Sequence, residues 1–405
     1  MKNFIILYWY ELKKLVKRKL CWGAVIVLTA FCVYGVIRSG PYSRNLTVPM
    51  IDENGNETEE NLYISGEEIY NTYRQTEGKL DGRVIDDTLF QEMLKNVPDW
   101  EAEKLLVYFW TNDATYSTLY SMVDGLFKNP RSVTAEDFYA AQWEQTQLWW
   151  EHYGVDQEGI SEGEKSYWRE QASKIETPFV YQEPWRGTSA LLRFFNTLVS
   201  LLPVAAAVCV CNVFSEDRRT RMEALIFSTQ ESRLPLYLAK VLSGATMSAL
   251  IGVIITGVTI VAHLAVWGAR GFDACIQMYQ IVSARAITVG QMLLIMTVLL
   301  VLYTMLCGGI TMLIATIARS SIVALAVPVV LVQVLNNFHP KEYGWGGYFP
   351  RNLISTSGAN SVELVNIFGV YLNNFQFGPL LYLAITVFLL ALCWLGWRHS
   401  ALGKI

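Results

Sequence analysis

Apolar residues in this chain follow two patterns, separated by long polar stretches. The first is the continuous run, found near residues 21–37, 190–213, 235–266, 287–317, 322–338 and 379–397. A hydrocarbon core of ~30 Å needs ~20 apolar residues in a helix, so each run is read as a transmembrane helix. Strands are excluded, because an open strand cannot satisfy its backbone hydrogen bonds in lipid. The third and fourth runs exceed one crossing and are expected to tilt or to extend past the bilayer. Pro203 and Pro328 fall inside runs and predict local kinks.

The second pattern is amphipathic and occupies residues 1–20. Phe4, Leu7, Tyr8, Leu12, Leu15 and Val16 recur at steps of three and four, with Lys13, Lys14, Lys17 and Arg18 largely opposite. That spacing predicts a helix lying in the membrane surface ahead of the first span. Trp9 and Trp22 suit the interfacial belt.

Residues 38–187 are different material. They hold 28 acidic and 13 basic residues, a net of −15 in a chain whose net is −4. Helix starts are legible: Ser65 with Glu68 and Ser161 with Glu164 fit capping boxes, and Thr134 with Asp137 is a variant. Gly78, Gly125 and Gly154 mark helix ends, and Pro98 and Pro178 mark boundaries. Five or six helices and little strand are expected, in a segment long enough for its own core. Seven of the chain's 13 tryptophans lie here: Trp100, Trp110, Trp143, Trp149, Trp150, Trp168 and Trp185. Two readings stay open for them. They build the core of this region, or they offer an acidic, aromatic surface to a cationic amphiphile.

The distribution of Lys and Arg gives orientation. The amino terminus, the connection between spans two and three, and the segments after spans four and six carry 14 of them. The two short loops opposite hold only Arg270, Arg285, Lys341 and Arg351. Both termini are therefore expected in the cytoplasm, with 38–187 outside. Arg38-Ser39-Gly40-Pro41 lacks a small-residue cleavage pattern, so the first span reads as an uncleaved anchor. None of the seven cysteines falls in 38–187, which suits a bacterial cell membrane better than a eukaryotic secretory route. Cys209 and Cys211 point to different helix faces and read as packing residues.

The search for chemistry excludes several classes. His152, His263, His339 and His399 are scattered without metal-ligand spacing. There is no HExxH and no GxxxxGK[ST], so the chain is not expected to hydrolyse ATP. No cofactor, metal or nucleic-acid partner is expected. The six runs contain no Asp or Glu, which argues against a proton- or sodium-coupled carrier. His263 reads as a packed or cavity-facing residue.

The connection between spans two and three carries more than topology requires. It reads EDRRTRMEALIFSTQESRLPLYLAK over Glu216 to Lys240, with six charges of both signs in its first eight residues. A six-span chain with no energy source of its own and a charged helical loop implies an external motor. At this point the chain resembles permeases of the second ABC-exporter class, the type V transporter fold. The opening FIILYWYELKKLVKRK resembles that family's elbow helix. A large domain between spans one and two matches one branch, and FSEDRRTRMEALIFSTQESRLPLYLAK resembles the coupling segment.

The resemblance implies an all-α polytopic membrane protein with six transmembrane helices, an amphipathic elbow helix (1–20) and a first span at 21–37. It further implies a helical extracytoplasmic domain (38–187) and a five-helix transmembrane region (188–405) with a cytoplasmic coupling segment at 214–234. Carried onto this sequence, the coupling positions are Glu216, Arg218, Arg219, Met222, Glu223, Leu225, Ser228, Thr229, Arg233 and Lys240. The chain departs from many relatives in having Arg221-Met222-Glu223 for Gly-Met-Asp, and Gln230 for Pro. Also implied are short helices dipping into the membrane within Gly344 to Gly378. The implied partners are a separate ABC ATPase subunit in two copies, a second permease chain and membrane lipid. The implied activity is ATP-driven transport, as an exporter or resistance system for peptides or other amphiphiles. A competing reading is a membrane sensor or scaffold, whose outer domain binds a ligand and whose loop recruits a partner. A membrane enzyme is disfavoured by the missing carboxylates and metal ligands.

Overall fold

The computed structural model describes all residues except 1, 41–44, 52–55, 77, 96, 100–103, 106–107, 110–113, 128–131, 154–157, 183–184, 215–232, 319–320, 338–343 and 403–405. Helix α1 (Lys2–Val16) breaks at Lys17 and Arg18, and α2 (Lys19–Ser39) follows. An antiparallel hairpin comes next, β1 (Leu46–Ile51) on β2 (Glu57–Ile64). Then come α3 (Gly66–Thr76), α4 (Asp87–Leu94), α5 (Ser117–Asp124), α6 (Ala135–Glu151) and α7 (Glu162–Ala172). Long helices α8 (Trp185–Val210), α9 (Arg233–Trp267) and α10 (Val289–Ile317) precede the shorter α11 (Ser321–Asn337). Two short helices, α12 (Pro350–Leu353) and α13 (Thr356–Asn360), lead to a second hairpin of β3 (Leu364–Ile367) and β4 (Val370–Asn373). Helix α14 (Asn374–Leu402) ends the fold.

The architecture is a helical polytopic membrane protein. Five helices, α2, α8, α9, α10 and α14, are long and apolar enough to cross a membrane. The run expected as the fifth span forms α11, whose apolar stretch Ile322–Val334 is shorter. At 1.5 Å per residue its 17 residues rise about 25 Å, less than the ~30 Å core. Pro203 and Pro328 lie within helices, as does Pro379 in α14. Two short helices, α12 and α13, follow α11 within Gly344 to Gly378.

Close contacts show how the bundle alternates. Near one end, Cys21 in α2 meets Cys209 in α8, and Gly396 in α14 lies against Thr316 in α10. Near the other end, Gly35 meets Phe194, Gly187 meets Trp267, and Gly378 meets Leu353 and Leu299. Helices α9 and α10 approach through small residues. A Cβ on Gly308 would stand 2.1 Å from the Ser248 hydroxyl oxygen, and one on Gly252 would stand 3.0 Å from that of Thr304. Small residues let backbones close up where lipid supplies no hydrophobic drive between helices. The hydroxyls of Ser248, Thr259, Thr304 and Thr311 each donate to the carbonyl four residues back, so their burial leaves no donor open. His263, 2% exposed, sits 3.2 Å from the Thr259 carbonyl and against the Phe194 ring, a packed residue.

Region 38–187 is mainly helical, with starts where the sequence places them. Ser65 accepts from Glu68 N–H, Thr134 from Asp137 N–H, and Ser161 with Glu164 completes both halves of a capping box. The hairpin β1–β2 was not expected, although Asn54-Gly55 between two β-prone runs is a hairpin signal. The region does not close its core alone. Trp150 and Trp168, each 1% exposed, pack with Tyr153 against Ala284 in the loop after α9 and Val362 between α13 and β3. These tryptophans are interior, as is the half-buried Trp149, whose indole donates to the Asn360 carbonyl.

Gly308→Leu should force α9 and α10 apart and cost about 1–3 kcal/mol of stability. Gly257→Ala, where a Cβ meets nothing within 4 Å, should be neutral. Thermal unfolding of the two purified variants in detergent, followed by size-exclusion, checks the difference.

Candidate coupling site

The segment expected to meet a motor is flanked by Phe214 and by Arg233 at the start of α9, so these flanks define the site. Phe214 is 2% exposed and stacks on Tyr237 with ring centroids 6.3 Å apart. Tyr237 in turn contacts Trp394 at 4.9 Å and Trp397 at 5.7 Å, and its hydroxyl donates to the Leu390 carbonyl. The exit from α8, the first turns of α9 and the last turns of α14 are thus clamped by four aromatic rings. The eighteen residues between them lie outside the described residues, and their two flanks are held together.

One turn further along α9, Lys240 is 1% exposed. Its ammonium donates to Glu11 in α1 at 3.0 Å, and Glu11 is itself 7% exposed. Tyr8, one turn back on α1, donates to Thr246 at 2.9 Å, and Leu15, one turn on, is buried. Helix α1 therefore packs against α9 along the face that carries Tyr8 and Glu11. The outward face of α1 carries Ile5, Ile6, Trp9 and Tyr10 together with Lys13 and Lys17. A buried ion pair gains little net stability over an apolar pair, but removing one partner strands a charge. Glu11 and Lys240 thus impose a register on α1 against α9.

Lys240, expected among the coupling positions, is turned into the protein, where its ammonium donates to Glu11. Arg233 opens α9, and its side chain lies outside the described residues. Glu216, Arg218, Arg219, Met222, Glu223, Leu225, Ser228 and Thr229 all lie outside the described residues. Glu11 was missed in the sequence. Its signal was a lone acid on the apolar stripe of a helix whose other charges are all cations.

A family model described as ABC-2 family transporter protein matches residues 5–345. The chain belongs to this family. No curated protein and no solved structure matches it significantly. The protein is accordingly a multi-pass membrane permease subunit of an ABC transporter, of the kind that pairs with an ABC ATPase subunit. The family match begins inside α1 and runs through the whole of 214–240, so both halves of the ion pair fall within it.

The far end of this ABC-2 permease is organised around a second buried cation. Arg285, in the loop between α9 and α10, donates to the carbonyls of Ala359 and Ser361 and to the Asn374 side chain. Its guanidinium lies between the rings of Trp168 and Phe375, at 4.8 and 4.7 Å. No described acid pairs with it. Burial lowers its pKa to about 10, with nearby tyrosines pulling the other way, so it remains a cation at neutral pH. Around it, Trp168 donates to the Val362 carbonyl, Gln142 to the Ile281 carbonyl and Tyr153 to Ser361. Tyr70 and Arg74 of α3 donate to the Val266 and Trp267 carbonyls, which are free at the end of α9. Region 38–187 is therefore attached to the bundle at α9, at the α9–α10 loop and at the segment before α14.

Lys240→Met leaves Glu11 buried and unpaired and should destabilise the permease by about 3–5 kcal/mol. Adding Glu11→Leu should restore most of that loss, since the stripe then packs apolar on apolar. Thermal unfolding of both variants in detergent measures the difference. Equal stability of the single and double variants would show that the pair is not a closed unit.

Proposed function

We propose that this permease is the membrane half of an ATP-driven exporter or resistance system for peptides or other amphiphiles, and that residues 214–234 receive the stroke of the ATPase. The observation that carries the coupling reading is the clamp at Phe214 and Tyr237. A segment whose flanks are fixed to three helices passes a push directly into those helices. The dense charge of Glu216, Arg218, Arg219 and Glu223 supplies groups that a complementary cleft can grip. Tyr237 and Lys240 lie one turn apart on α9, so a displacement of the loop acts on α9, and through Glu11 on α1 as well.

In this reading two ATPase copies close on ATP and press two such loops, one from this chain and one from a second permease chain. The chain itself supplies no catalytic group. Both termini and 214–234 lie in the cytoplasm of a bacterial cell, and 38–187 lies outside, as the excess of Lys and Arg supports. The net −15 of residues 38–187 favours the approach of cationic cargo, an attraction that weakens as the Debye length shortens with salt.

Two measurements test this. Arg218→Glu with Arg219→Glu should abolish substrate-stimulated ATPase activity of the co-purified complex while membrane insertion stays normal. Unchanged stimulation would overturn the coupling role. In intact cells a membrane-impermeant thiol reagent should label Glu158→Cys but not Arg219→Cys, with the unaltered chain as blank. Labelling at 219 alone would reverse the orientation.

A further inference from the structure

A pocket of about 550 Å³ lies between the start of α7 and the stretch that runs from Gly344 into β3. Its walls include Tyr153, Ile160, Glu164, Trp345, Tyr348 and Glu363. Among the described residues no lysine, arginine or histidine lines it, and the formal charges that do are two carboxylates. Glu164 uses one oxygen to cap α7, accepting from the Ser161 N–H and hydroxyl. One oxygen of Glu363 accepts from Gly344 N–H, while the other is buried without a hydrogen-bond partner. Tyr348 is 7% exposed, and its hydroxyl is also without a partner. Burial, with the Glu164 charge adding to it, raises the Glu363 pKa to about 7. A carboxylate held in this way lacks a counter-charge that the protein does not provide.

The rings decide what kind of counter-charge fits. Trp345 is 73% exposed, with its ring centroid 6.2 Å from that of Tyr348. An exposed indole beside a buried phenol gives a cation two aromatic faces. Ile160 and Leu364 add apolar wall. Hard divalent ions seek six or more oxygens, or keep their waters, and no group of three or more His, Cys, Asp or Glu that could hold a metal is found among the described residues. The floor of the pocket also reaches the bundle, since the Tyr348 carbonyl accepts from Tyr382 in α14 at 2.9 Å.

We propose that this pocket binds an organic cation, an ammonium or guanidinium group on an apolar body, with Glu363 as its counter-ion and Trp345 and Tyr348 as its aromatic wall. The inference gives a ligand class to the transporter reading, but the binding itself needs neither ATP nor the ATPase. Failure of one is therefore separable from failure of the other. The same chemistry is available from a free amine in water and from an aminolipid headgroup.

The test uses the full chain in nanodiscs of phosphatidylglycerol, with 2-phenylethylammonium as ligand and calorimetry as readout. Saturable binding is expected for the amine and not for 2-phenylethanol or 3-phenylpropanoate. Glu363→Gln keeps the shape and an acceptor for Gly344 N–H and should weaken binding at least about tenfold. Should that variant fail to fold, Trp345→Ala decides, because its ring is largely exposed; it should weaken binding several-fold. In nanodiscs containing phosphatidylethanolamine, a lower apparent affinity supports the site with lipid as the source of the cation. An unchanged affinity supports it with a free amine. Absence of saturable amine binding, equal binding of the neutral alcohol, or unaltered affinity in the folded variants overturns the proposal.

Discussion

The ion pair of Glu11 and Lys240 is the interaction that makes the first helix part of the bundle. A helix of fifteen residues ahead of a span has no backbone need to pack on anything, since its hydrogen bonds are internal. What holds α1 is the side chain of Lys240, an ammonium too costly to leave buried without an anion. Satisfying that one group fixes the rotation and height of α1, and brings Tyr8 to Thr246 of α9 with it. The pair lies one turn from Tyr237, the residue that gathers Phe214, Trp394 and Trp397. Electrostatics and aromatic packing thus meet where the charged loop joins the membrane helices.

The opposite end solves the same problem with different chemistry. Arg285 is buried without a described carboxylate and is stabilised by carbonyls, one side-chain amide and two ring faces. Those acceptors come from the segment before α14, and one of the rings from α7. A single cation therefore ties the α9–α10 loop, region 38–187 and the approach to α14 together. Helix α9 joins the two ends. Its 35 residues, about 52 Å at 1.5 Å per residue, run from the Lys240 pair to the carbonyls that Tyr70 and Arg74 cap.

Much of this was legible in the sequence. The long apolar runs at 21–37, 190–213, 235–266, 287–317 and 379–397 became helices because lipid leaves no other way to satisfy a backbone. The caps at Ser65, Thr134 and Ser161 were readable because a cap is a contact across three residues. The length of α11 was less legible, since an apolar run does not state where its helix must stop. The β1–β2 hairpin was hidden in a region whose charge and caps read as helical.

The sequence alone determined that the chain is mostly helical, where its five longest apolar helices lie, and where charge accumulates, because those depend on local spacing and on transfer into lipid. The partners were decided only by the tertiary structure. Glu11 and Lys240 are 229 residues apart, and Trp168 and Val362 are 194 apart. Nothing within a window of one helix says that a surface-helix acid will face a lysine of span three. Nor does it say that tryptophans of an acidic region will finish a core begun by two loops. Such pairings depend on how helices pack side by side, and that depends on small residues such as Gly252 and Gly308, whose meaning appears only when a second helix lies against them.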